Sequence, residues 1–157
     1  MTTKSVAEMV LTRHPLFEIG DEFAELIFFG LDHALHSISD GGTLVPFLLH
    51  EEQAKRGRRT LARFDADLYE ESVSRARSAA ASLPTSVIAC VLAYDGFVTV
   101  EGTKYSAILM EGAERDNRQG FAFAQRYIPA APARPFHRIG NMAFVGECDS
   151  LFGAPPR

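Results

Sequence analysis

Residues 18–38 constrain the fold of this chain most. Within them Phe23, Leu26, Ile27, Gly30, Leu31, Ala34, Leu35 and Ile38 recur at intervals of three and four. That period puts them on one stripe of an α-helix, and a helix with a single apolar stripe must bury it against another layer. Asp40-Gly41-Gly42 closes the stretch, because glycine readily takes the left-handed conformation that ends a helix. Upstream, Ser5 and Glu8 have capping-box spacing and predict a short N-terminal helix that stops near His14, ahead of Pro15.

A second main helix is expected at about 67–83. Asp67 and Glu70 resemble another capping box, and Pro84 bars continuation. Ala76, Ala79, Ala80 and Ala81 make this helix thin. Between the helices, at 43–64, the pattern turns to period two and predicts a β-hairpin, with Pro46 placing the first strand at a sheet edge. After Pro84 the chain reads as strands: "SVIACVLAY", "FVTVE", "KYSAILME", "FAFAQRYI" and "FHRIGNMAFVGE". Asp95-Gly96 is a strong two-residue hairpin signal, with a further turn at Gly102-Thr103. The proline-rich stretch 129–135 reads as a loop inside one domain.

The expectation is therefore a single α+β domain over 1–157. It has an antiparallel sheet of about five to seven strands, two main helices at about 18–38 and 67–83, and the short N-terminal helix. The thin helix should pack on the alanine side of the 86–128 meander, where Val87, Ala89, Val91 and Ala93 on the earlier strand and Ala122 and Ala124 on the later one allow close approach.

Bulk properties narrow the function classes. A chain of 157 residues can bury roughly 70% of its unfolded surface as one domain. A net charge of −4 gives no global attraction for nucleic acid or an anionic membrane. The longest nearly apolar run of the second half, 87–93, is far too short to span a bilayer. The first ten residues carry no export signal, and Cys90 and Cys148 are too few for a disulfide scaffold. A reducing cytoplasm is the default compartment, with a Cys90–Cys148 bridge as the exception.

Candidate chemistry is sparse. His33 and His36, with Asp32 beside them, could begin a zinc or iron site. No H-E-x-x-H or C-x-x-C accompanies them, and Gly30 stands where His33 would need the glutamate of a di-iron pair. The bland reading puts both imidazoles on the solvent side of the helix, with His36 paired to Asp32. Lys55-Arg56-Gly57-Arg58-Arg59 with Arg63 could grip phosphate, but Glu51 and Glu52 lie across the turn and charged edge strands are a common protection against aggregation. Cys90, in mid-strand, reads as an inert core thiol, and no G-x-S-x-G, G-x-G-x-x-G or Walker sequence is present.

Two features remain. Phe28 and Phe29 stand off the core stripe of the first main helix, in a chain with twelve phenylalanines and no tryptophan. Such rings need cover from the N-terminal segment or from a second subunit. Glu111, Arg126 and Tyr127, on adjoining strands, could line a ligand pocket. The leading expectation is a non-enzymatic cytoplasmic interaction or assembly domain, without catalytic residues, metal or cofactor. It would associate with itself as a homodimer, or with another protein, through Phe28 and Phe29. The alternatives are a small-ligand binding domain at Glu111, Arg126 and Tyr127, and a metal-assisted hydrolase using His33 and His36.

Overall fold

The computed structural model of the chain describes residues 20–53 and 58–153. The short helix expected at 5–14 and the tip of the first hairpin lie outside these residues. The elements in chain order are α1 (Asp21–Ile38), β1 (Phe47–Glu52), β2 (Arg59–Arg63), α2 (Tyr69–Ala81), β3 (Val87–Val100), β4 (Thr103–Glu114), β5 (Gln119–Ile128), β6 (His137–Arg138) and β7 (Ala143–Asp149). The seven strands form one antiparallel sheet in the order β2-β1-β3-β4-β5, with β6 and β7 both pairing on the outer edge of β5. The α+β expectation holds.

The two helices lie on opposite faces of the sheet, because strand residues alternate between faces. On one face Phe47 and Leu49 of β1, Ala89, Val91 and Ala93 of β3, Ile108 and Met110 of β4, and Phe121 and Phe123 of β5 form the larger core with the α1 stripe. Gly30 lets α1 settle close here. A Cβ at that position would lie 3.2 Å from Met110 Cε and 3.5 Å from Val91 Cγ1. On the other face Leu48, Cys90, Leu92 and Ala113 meet Ala76 and Ala80 of α2, with Leu151 closing the cluster.

This corrects the placement of α2 in part. It shares a face with Ala122 and Ala124, as expected, but the Ala89/Val91/Ala93 face belongs to α1. The start of α2 differs as well. Asp67 makes no cap, and the helix begins at Tyr69 after Leu68. Ser72 instead ties the preceding loop to the first turn: its hydroxyl accepts the Ala66 N–H at 2.8 Å and donates to the Leu68 carbonyl at 3.4 Å.

Three strand assignments also change. Pro46 does not mark an edge, since β1 lies between β2 and β3 and the Pro46 carbonyl accepts the Phe64 N–H at 2.9 Å. The edge on this side of the sheet is β2. Asp95-Gly96 is not a turn: β3 runs straight through it, pairing Asp95 with Ile108 and Gly96 with Ala107. A Cβ on Gly96 would fall 2.6 Å from Leu109 Cδ1, so the residue makes room for a neighbouring side chain. The chain reverses at Glu101-Gly102, both at positive φ (49° and 82°), as a two-residue hairpin turn of the primed type requires.

Candidate functional site

The outer flank of α1 is the first candidate. Phe28 and Phe29 are 46% and 43% exposed. The cover for Phe29 within the described residues is neither of the two expected. Arg59, reaching from β2, sets its guanidinium 4.9 Å from the Phe29 ring centroid and 4.0 Å from the Glu25 carboxylate. Register explains this. Arg59, Leu61 and Arg63 alternate onto the α1 face of the edge strand and lie along the helix flank.

The same geometry corrects the reading of His33. It is half-buried, with its ring edge-on to Phe47 at 5.0 Å and its Nε2 3.3 Å from Arg63 Nη2. A guanidinium thus stands where a metal would have to approach. His36 and Asp32 are exposed. Among the described residues no three His, Cys, Asp or Glu side chains are placed to hold a metal ion. Of the proposed basic patch, Lys55 and Arg56 lie outside the described residues, Arg58 is exposed, and Arg59 and Arg63 turn toward the helix.

Burial holds the His33 imidazole below its ordinary value, and the nearby charge of Arg63 acts in the same direction. His50 is likewise lowered by burial, partly opposed by Glu52. Both rings therefore favour the neutral form when folded, and the unfolded chain takes up protons first. Their contribution is constant above neutrality and is lost as pH falls below about 6.5. Urea midpoints compared at about pH 7.5 and about pH 5.5 should fall less in a His33→Gln/His50→Gln variant than in the unaltered protein.

The three residues expected to line one pocket are divided between the two faces. Glu111 and Arg126 share the α2 face, because Glu111 opposes Ala122 and Arg126 opposes Ala107. They do not pair. Glu111, 9% exposed, receives both guanidinium nitrogens of Arg77 from α2, at 2.6 and 2.7 Å, and the Tyr94 hydroxyl at 3.1 Å. The carboxylate holds the Arg77 guanidinium firmly protonated, and burial, with the Glu111 charge, pushes the Tyr94 phenol up to about 12. Arg126 instead lies over the Tyr105 ring, 4.8 Å from its centroid. Tyr127 lies on the α1 face.

There Tyr127 joins a network that sequence reasoning missed. Its hydroxyl donates to Asp95 Oδ1 at 2.7 Å, and the Leu44 N–H donates to Asp95 Oδ2 at 3.1 Å. Tyr69, the first residue of α2, accepts the Asp95 N–H at 2.6 Å and donates to the Leu44 carbonyl at 2.7 Å. Burial raises both phenols, Tyr69 to about 12, so they stay neutral donors. A cavity of about 440 Å³ opens beside this network.

A second cleft of about 370 Å³ carries Glu22, Glu51, Glu114 and Asp116 around Phe23 and Ile88. Arg115 on its wall is committed elsewhere. It donates to the carbonyls of Leu83, Pro84 and Val87, and its guanidinium lies 3.9 Å from the Phe152 ring centroid. The thiols are separate and reduced. Cys90 on β3 and Cys148 on β7 are three strand spacings apart, roughly 14 Å, beyond disulfide reach. Burial pushes Cys90 to about 12 and Cys148 to about 11, which leaves both as thiols at neutral pH.

No described helix is long and apolar enough to cross a membrane. No family model, curated protein or solved structure matches this chain.

Proposed function

We propose that this protein is a cytoplasmic interaction domain that associates with a second copy of itself through the outer flank of α1 and the adjoining edge strand β2. One observation carries the reading: of the four large hydrophobic side chains that stand exposed among the described residues, two, Phe28 and Phe29, are adjacent on α1. Charge supports a second copy as the partner. The exposed side of α1 is acidic, with Asp32 and with Glu25, whose carboxylate lies 4.0 Å from Arg59 of its own chain, while Arg58 and Arg63 stand exposed at the sheet edge beside it. Under a twofold axis each acidic row can face the other copy's basic edge, which makes the patch self-complementary. Two free thiols suit a reducing compartment.

Magnitude sets the strength. Covering the exposed halves of four phenylalanine rings stabilises a dimer by about 4 kcal/mol, only the low end of the cost of association. The surplus that holds the dimer must therefore come from the facing charged rows, which makes association weak, reversible and sensitive to salt. Light scattering after size exclusion should show mass rising toward the dimer with concentration, and a Phe28→Ser/Phe29→Ser variant should remain a folded monomer. A wild type that stays monomeric at the highest soluble concentration defeats the proposal.

A further inference from the structure

Helix α1 ends at Ile38, but the β3–β4 hairpin beneath it continues. Asp95 and Phe97 on β3, and Lys104 and Ser106 on β4, follow the core residues Ala93 and Ile108 on the same face, beyond the helix. The cavity lies here, walled by Thr43, Tyr69, Asp95, Phe97, Ser106 and Tyr127.

Three observations define its chemistry. Asp95 is the sole acidic or basic side chain in the lining, and the two tyrosines stay neutral. Its carboxylate receives two hydrogen bonds, both from neutral donors, and a carboxylate accepts about four. No described cation pairs with it. Phe97, 62% exposed, lies at the mouth, and the chain's own Lys104 ammonium sits 4.2 Å from its ring centroid. An aromatic ring already placed to hold an ammonium thus stands beside an uncompensated carboxylate.

We infer that this cavity binds a small organic ammonium ion, with Asp95 as counter-ion, Phe97 as the cation–π wall, and Ser106 and the tyrosine oxygens as further acceptors. An N–H donor on a short apolar stem satisfies each group present, whereas a carboxylate ligand would face Asp95 with no cation to receive it. Lys104 acts as a tethered competitor for the ring.

A titration of the ¹⁵N-labelled protein with n-butylammonium, alongside butyrate and n-butanol at matched ionic strength, tests this. The expected result is saturable shifts of the Leu44, Gly96, Phe97 and Ser106 amides with butylammonium alone. Phe97→Ala should weaken binding roughly threefold, and Asp95→Asn about tenfold or more. Because Phe97 is exposed, its variant decides the matter even if Asp95→Asn does not fold. Equal shifts with butyrate or butanol, no saturable shift with butylammonium, or unchanged affinity in Phe97→Ala would overturn the assignment.

Discussion

Replacing Gln125 with leucine should cost about 3 kcal/mol, which lowers the melting temperature by roughly 6–12 °C for a domain of this size. Gln125 is completely buried on β5. Its amide nitrogen lies 3.0 Å from the Arg126 carbonyl, 3.0 Å from that of Ile139 and 3.1 Å from that of Gly140, and its carbonyl accepts Arg138 Nε at 3.1 Å. One side chain thus latches the segment between β6 and β7 onto the sheet. Leucine fills the volume but removes both ends of the latch: Arg138 Nε loses the Gln125 carbonyl and the Ile139 carbonyl loses its side-chain donor, while the Arg126 carbonyl keeps the Ile139 N–H and the Gly140 carbonyl keeps Arg138 Nε. Gln125→Glu should cost less, because its carboxylate keeps Arg138 Nε as a charged partner while losing the donor to the carbonyls. Thermal unfolding followed by circular dichroism measures both. A shift below about 2 °C in Gln125→Leu would show that the latch contributes little.

Arg77→Ala should be the next largest loss, about 2 kcal/mol once the half-exposed guanidinium is discounted for solvent screening. The cost falls on Glu111, whose buried carboxylate would keep the Tyr94 hydroxyl at 3.1 Å as its described side-chain donor. Removing the carboxylate as well should restore part of that loss. A double-mutant cycle with Glu111→Ala should therefore return a coupling of about 1–2 kcal/mol. Arg77→Lys should recover only part of the pair, since an ammonium cannot reproduce two parallel N–H···O bonds. Urea denaturation of the four proteins gives the coupling directly, and a value near zero would mean the pair is no more than a screened surface contact.

What could be read from the sequence was what depends on near neighbours. The α1 stripe was legible because a period of 3.6 is local, and seven of its eight residues are buried or nearly so, with Leu35 partly buried. The residues that matter most for chemistry depend on distant partners. Asp95-Gly96 carries a genuine turn propensity, yet Asp95 answers to Leu44 and Tyr127, 51 and 32 residues away, and Gly96 to Leu109 across the strand. Glu111 finds Arg77 at a separation of 34 residues, which no pattern in the chain announces. One signal was available. Adjacent residues on a strand point to opposite faces, so Arg126 and Tyr127 could not have served one pocket, and that parity assigns Tyr127 to the α1 side with Phe121 and Phe123. Arg59 and Arg63 looked like a phosphate grip because composition reports charge but not direction. Their register on β2 turns them toward Phe29 and His33.

The central claim, that the outer flank of α1 meets its own copy, is tested most directly by isotope-filtered nuclear Overhauser spectroscopy on a mixture of ¹³C-labelled and unlabelled protein at high concentration. Intermolecular cross-peaks from the Phe28 and Phe29 rings to α1 and to Arg58 or Arg63 of the other copy are predicted, fading as salt is raised. A dimeric sample whose intermolecular cross-peaks all arise elsewhere, with both rings silent, would contradict it.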